Sequence, residues 1–181
     1  RALVAQLEGR FKDADSRLKA LGRDEQALAR LLDELRDIFA DIPDQLDVAQ
    51  PFAKKRGRLL IPAAGRTLVG FGAALPDGRT SHGWLLGADP GAPVHAVAHG
   101  RVAFSDWLKG YGLIVILDHG DGYMSLYAQN DSLQREVGDW VSAGDVLASV
   151  GSSGGQSRSA LYFELRHNGR PIDPHGWFVR R

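Results

Sequence analysis

Apolar residues follow two different patterns along this chain, and the change falls near Pro43. Upstream, Leu3, Leu7, Phe11, Leu18 and Leu21 step by threes and fours with one gap, the spacing of one helix face. Gly22 can end that helix, and Asp24 can cap the next by accepting from its first free amides. Leu28, Leu31, Leu32, Leu35, Ile38 and Phe39 then form a wide apolar stripe. The stripe predicts a second helix over 24–40, which Pro43 stops. Residues 1–42 read as a helical arm. Residues 43–56 read as a polar linker with a basic end, Lys54, Lys55 and Arg56. From 57 to 181, glycines, prolines and short β-branched runs replace the helical period, which predicts a turn-rich β domain. The expected class is α+β: a helical arm followed by a mostly antiparallel β domain.

Composition narrows the function classes. Twenty-two basic and 22 acidic residues cancel, so there is no broad electrostatic case for nucleic acid. The absence of cysteine fits an oxidising compartment without demanding one. No apolar run approaches the length of a membrane span. The chain opens on Arg1, which suggests a processed or truncated product whose signal peptide is gone.

Four glycine-punctuated blocks carry more information. Gly57, Pro62, Gly65, Phe71 and Gly72 form the first, and Gly91, Val94, Ala96, Gly100 and Val102 the second. Gly112, Val115, His119, Gly120, Gly122 and Tyr127 form the third, and Val141, Gly144, Ala148 and Gly151 the fourth. In this order and spacing they resemble the LytM, or lysostaphin-type, family of zinc endopeptidases over residues 57–178. The resemblance implies that family's β fold and a groove holding zinc. It also implies where the ligands should be. The family's His-x-Gly-x-Asp motif, aligned on Gly83, falls on Ser81 and Leu85. Its His-x-His-Phe-Glu motif falls on Ala160, Tyr162, Phe163 and Glu164. The place of its catalytic histidine is held by Gln129. Ser81, Leu85, Ala160 and Tyr162 supply neither imidazole nor carboxylate, and a shift of one residue that brings in His82 still gives one ligand, too few for a tetrahedral site. The expectation is no metal, no cofactor and no catalysis.

Trp107 to Gly112, Gly151 to Gln156 and Leu161 to Glu164 resemble the EnvC-like, non-peptidase branch of the family. That resemblance implies a periplasmic activator of peptidoglycan amidases in cell division. It also implies an upstream coiled coil that contacts a membrane complex of the FtsEX type. His82, Leu85, Tyr111, Tyr162 and Arg166, the last expected to be exposed at a strand end, are the candidate partner-binding groove. Tyrosine and arginine are over-represented at interface hot spots, and an apolar trough suits a helix with an apolar face. Tyr162 and Leu85 can equally be read as filling the space of the lost zinc. The stripe of Leu28, Leu31, Leu32, Leu35 and Phe39 also has two readings: the stump of a coiled coil, or an autoinhibitory helix lying in the chain's own groove. Two further functions stay open, a zinc endopeptidase with relocated ligands and a passive peptidoglycan-binding module.

Other apparent active sites are weaker. His95 and His99 have the spacing of a helical zinc pair. On a strand, as expected here, four residues span roughly 13 Å, too far for one metal. Gly151 to Gly155 matches Gly-x-Ser-x-Gly with Asp173 and His175 downstream, but a nucleophile elbow leads into a helix, and a strand is expected after it. No lysine follows these glycines, so a phosphate loop is not indicated. His119 reads as a framework histidine.

Overall fold

The computed structural model of the protein describes residues 25–35, 51–151 and 159–179. The helix expected over residues 3–21, the junction at Gly22 and Asp24, and Ile38, Phe39 and Pro43 lie outside them.

Residues 25–35 form a helix, α1. A one-turn 3-10 helix, Phe52–Lys55, precedes ten strands. These are β1 (Arg66–Val69), β2 (Trp84–Gly87), β3 (Pro93–His95), β4 (Gly100–Leu108), β5 (Gly112–Gly120), β6 (Tyr123–Leu133), β7 (Trp140–Val141), β8 (Val146–Val150), β9 (Ala160–His167) and β10 (Arg170–Ile172). Every pairing between named strands is antiparallel, and the main path runs β1-β2-β9-β6-β5-β4-β7. The α+β expectation holds for the described residues. The β5–β6 hairpin shows how local chemistry sets the register. Its two-residue turn is Asp121-Gly122, with φ 52° and 80°, and two positive φ values match the twist of a tight hairpin.

Alternation along the central strands sends side chains to two separate clusters. On β9, Leu161, Phe163 and Leu165 enter the larger core, with Val115, Leu117, Tyr127, Trp177 and Phe178. Ala160 and Tyr162 point the other way, with Leu85, Ile114, Ile116, Met124, Leu126 and Ala128. That second face would be an exposed apolar surface but for α1. Leu28, Leu32 and Leu35 close over it, at 1%, 2% and 6% exposure. Glu25, Gln26, Ala29, Arg30, Asp33 and Glu34 face solvent, so the sequence stripe and the buried face coincide.

The stretch read as a linker reaches into the domain. Phe52 is buried in the larger core, stacked on His119 at 4.7 Å and close to Tyr123 and Trp177. The β domain therefore gathers its chain from Phe52 rather than from Gly57.

Gly83 holds its place for a steric reason unconnected with metal. A β-carbon there would sit 1.9 Å from the carbonyl oxygen of Phe163 on β9. Gly83→Ala is expected to destabilise the fold by about 1–3 kcal/mol, the range of an overpacked core position, because the obstacle is backbone and cannot rotate away. Urea unfolding of the variant checks this.

Candidate functional site

Adjacent strands bring together the positions that the family resemblance aligns with metal ligands. Leu85 on β2 lies opposite Tyr162 on β9, and Ala160 lies one pleat further along the same face. Ser81 is wholly buried in the loop before β2. Its hydroxyl donates to the Gly83 carbonyl at 2.8 Å and accepts from the Gly83 amide at 3.3 Å. Its backbone binds Gly72 and Ala73 across the loop. Serine here is a turn-forming residue. The donor set does not fit zinc: one hydroxyl committed to its own loop, two hydrocarbon side chains and a phenol. Among the described residues, no group of three or more His, Cys, Asp or Glu converges.

What occupies the site is a buried apolar cluster that includes Tyr111 and Tyr162 and is covered by Leu28, Leu32 and Leu35 of α1. The Tyr162 hydroxyl accepts from the His82 amide at 3.3 Å, and its ring lies 6.2 Å from that of Tyr111. Burial raises the pKa of both phenols above the ordinary tyrosine value, and the Glu164 charge pushes in the same direction. Both are therefore neutral hydrogen-bonding groups at physiological pH. Arg79 sits over the Tyr111 ring at 5.7 Å, pairs with Asp77 at 2.7 Å and donates to the Gly110 carbonyl at 3.4 Å. Burial would lower its pKa, but Asp77 outweighs burial and holds it above the ordinary value. Arg79 thus ties the loop before β2 to the β4–β5 turn. Sequence reasoning did not single it out. Its signal was the turn Asp77-Gly78-Arg79, which returns an arginine over the sheet.

Gln129, where the family resemblance sets a catalytic histidine, adopts φ 67° and donates its backbone amide to the Tyr111 carbonyl at 2.8 Å. Its side-chain oxygen is buried and has no hydrogen-bond partner among the described residues.

Arg166 corrects an expectation. It is not exposed at a strand end; it is 7% exposed and faces Glu164, itself 1% exposed, at 3.2 Å. Residues two apart on a strand share a face, and these two lie on the face of β9 that carries Ala160 and Tyr162. Arg166 also donates to the Gly169 carbonyl at 3.0 Å. Burial raises the Glu164 pKa, against the opposing pull of Arg166 and His82.

The histidine pair is also corrected. His95 ends β3, and His99 lies in the bend before β4, so no single strand joins them. His95 Nδ1 faces the Gly144 carbonyl at 2.9 Å, and His99 stacks on Trp140. Ser152 to Gly155 lie outside the described residues, and Asp173 accepts from the His175 amide in a local turn. β9 follows them, a strand as expected rather than the helix of a nucleophile elbow.

His119 is the framework residue it was read to be. Its Nδ1 lies 2.8 Å from the His99 carbonyl and therefore carries the proton. Nε2 lies 2.6 Å from Ser125 Oγ, which is 2.9 Å from the Tyr127 hydroxyl. Burial lowers the His119 pKa to about 4. Below the unfolded value of about 6.5, the unfolded chain takes up a proton that the folded chain refuses. Stability is therefore expected to fall by about 3 kcal/mol between pH 6.5 and pH 4. The difference between wild type and His119→Gln in denaturant unfolding across that range isolates the effect.

Residues 79–174 match peptidase family M23. The chain is 46% identical over 125 residues to the murein hydrolase activator EnvC of Escherichia coli (strain K12), covering 69% of this chain and 30% of that protein. It is 33% identical over 121 residues to the murein hydrolase activator NlpD of the same organism, covering 66% and 31%. Among solved structures, Helicobacter pylori Csd3 superposes with a TM-score of 0.58 and 29% identity, covering 68% of this chain and 35% of that one. The chain spans less than a third of the length of these two activators.

Proposed function

The chain belongs to peptidase family M23, and we propose that it is a non-catalytic member that activates a peptidoglycan amidase by binding one of the amidase's helices in its groove. The observation that carries this reading is the replacement of the metal-ligand positions by Ser81, Leu85, Ala160 and Tyr162, which leaves an apolar trough that α1 fills. A surface that accepts one amphipathic helix is suited to accept another. Two relatives are named murein hydrolase activators, and their similarity extends over about two thirds of this chain. An N-acetylmuramoyl-L-alanine amidase acting in the periplasm during cell division is the proposed target. No described helix is long and apolar enough to cross a membrane.

Under this reading α1 is a self-ligand. It competes with the amidase helix at an effective concentration set by its tether, about millimolar for a short linker. An upstream coiled coil attached to an FtsEX-like membrane complex is the proposed source of the force or rearrangement that withdraws it.

The test is chemical. Purified chain dialysed against a weak chelator is expected to retain no stoichiometric zinc and to leave peptide cross-links of isolated sacculi intact. Stoichiometric zinc together with cross-link cleavage identifies a peptidase with relocated ligands. Sacculus binding with no effect on any amidase identifies a passive wall-binding module.

A further inference from the structure

Charge is concentrated where the chain enters the β domain. Lys54, Lys55, Arg56 and Arg58 fall close together in a chain whose 22 basic and 22 acidic residues cancel overall. The backbone that carries them is fixed, because Phe52 before them and Leu59 after them are both buried in the larger core. The Gly57 and Leu59 amides donate to the Trp177 carbonyl at 2.9 and 3.0 Å, and the Val179 amide donates to the Leu59 carbonyl at 2.9 Å. Arg56 lies over the Trp177 ring at 5.5 Å. Lys54, Arg56 and Arg58 are exposed. Among the described residues no carboxylate pairs with any of the four cations. No acidic residue occurs from Val48 to Pro62 or from Pro174 to Arg181, and Asp173 accepts the His175 amide in its own turn. Two bare aliphatic side chains sit beside the charges. Leu59 and Phe178 bridge and turn into the core, so their successors Leu60 and Val179 turn outward, at 41% and 46% exposure.

From this combination we infer that the face docks on an anionic phospholipid bilayer. Phosphate headgroups answer the cations, while Leu60 and Val179 enter the boundary between headgroups and acyl chains. A hydrated polyanion such as the cell wall would answer the charges and leave both aliphatic side chains in water. The contact is peripheral. Phe52, Leu59, Trp177 and Phe178, which support the patch from behind, belong to the larger core, and α1 lies on the opposite face of the sheet. A chain docked this way turns its α1 face away from the bilayer. The inference needs nothing from the amidase reading. Each cation close to such a surface contributes roughly fivefold in affinity, and the effect fades within a Debye length.

Cosedimentation of the full chain with large unilamellar vesicles tests this. One set is phosphatidylethanolamine with phosphatidylglycerol, and the other is neutral phosphatidylcholine. Wild type is expected to sediment with the anionic vesicles only and to be released by salt. Lys54→Glu with Arg58→Glu is expected to weaken that binding by roughly twentyfold or more. Its thermal melt is expected to match wild type, because both side chains are exposed. Leu60→Ser with Val179→Ser, which keeps every charge, is expected to weaken binding several-fold. Equal binding to both vesicle types, binding to neither, or binding to anionic vesicles that ignores the charge reversal overturns the inference. Binding that depends on the cations and is indifferent to Leu60 and Val179 also overturns it, since it marks a site for any polyanion. Retention on isolated sacculi that depends on Lys54 and Arg58, without vesicle binding, assigns the face to the wall instead.

Discussion

Leu28→Asp with Leu32→Asp is expected to raise amidase activation by the full chain at least tenfold at sub-saturating amidase. Each leucine is essentially inaccessible to solvent, and burying one contributes on the order of 1.5–3 kcal/mol to the hold of α1 on the sheet. A carboxylate in its place costs several kcal/mol unless the helix lifts away. Lifting is the cheaper outcome, because α1 meets the sheet through one stripe and the larger core lies on the opposite face. The groove then opens without damage to the domain. Ala29→Asp, on the solvent face of the same helix, is the control and is expected to change nothing. Dye release from labelled sacculi measures the effect. Equal activation by wild type and by the double aspartate variant would show that the helix is only a coiled-coil stump.

Arg166→Ala is expected to cost about 3–5 kcal/mol of stability, because it leaves the Glu164 carboxylate buried without its cation. This alters what the substitution can report. Lost activation in Arg166→Ala would mix a lost contact with a weakened fold. Replacing both members, Glu164→Leu with Arg166→Leu, is expected to be close to neutral or stabilising. Chemical denaturation of the two variants separates these cases. A small loss in Arg166→Ala would mean that the pair contributes little to the folded state.

Much of this was legible in the chain, and the misses have physical causes. The helix at 25–35 was readable because its stripe has the helical period and its other face is charged. The β domain was readable from the glycine blocks, some of which mark real constraints, as the close approach of Gly83 to Phe163 shows. Arg166 was misjudged because charge at the end of a run usually means solvent. The contrary signal was Glu164 two positions earlier, which a strand places on the same face. The structural role of Phe52 was hidden by the basic run Lys54, Lys55 and Arg56 just after it, which made the stretch read as a linker. His95 and His99 were rightly set aside as a metal pair, but the single strand expected to join them stops at His95.

The central claim is that this groove switches on a murein amidase and cuts nothing itself. Dye release from sacculi tests it most directly, with the Leu28→Asp, Leu32→Asp chain alone, a purified N-acetylmuramoyl-L-alanine amidase alone, the two together, and the two together with Tyr162→Ala added to the chain. Tyr162 packs in the cluster that α1 covers, and truncating it as the proposed anchor is expected to weaken binding by about thirtyfold. The predicted result is release only from the mixture, falling sharply with Tyr162→Ala. Release by the chain alone, or release from the mixture that is indifferent to Tyr162, would contradict the account.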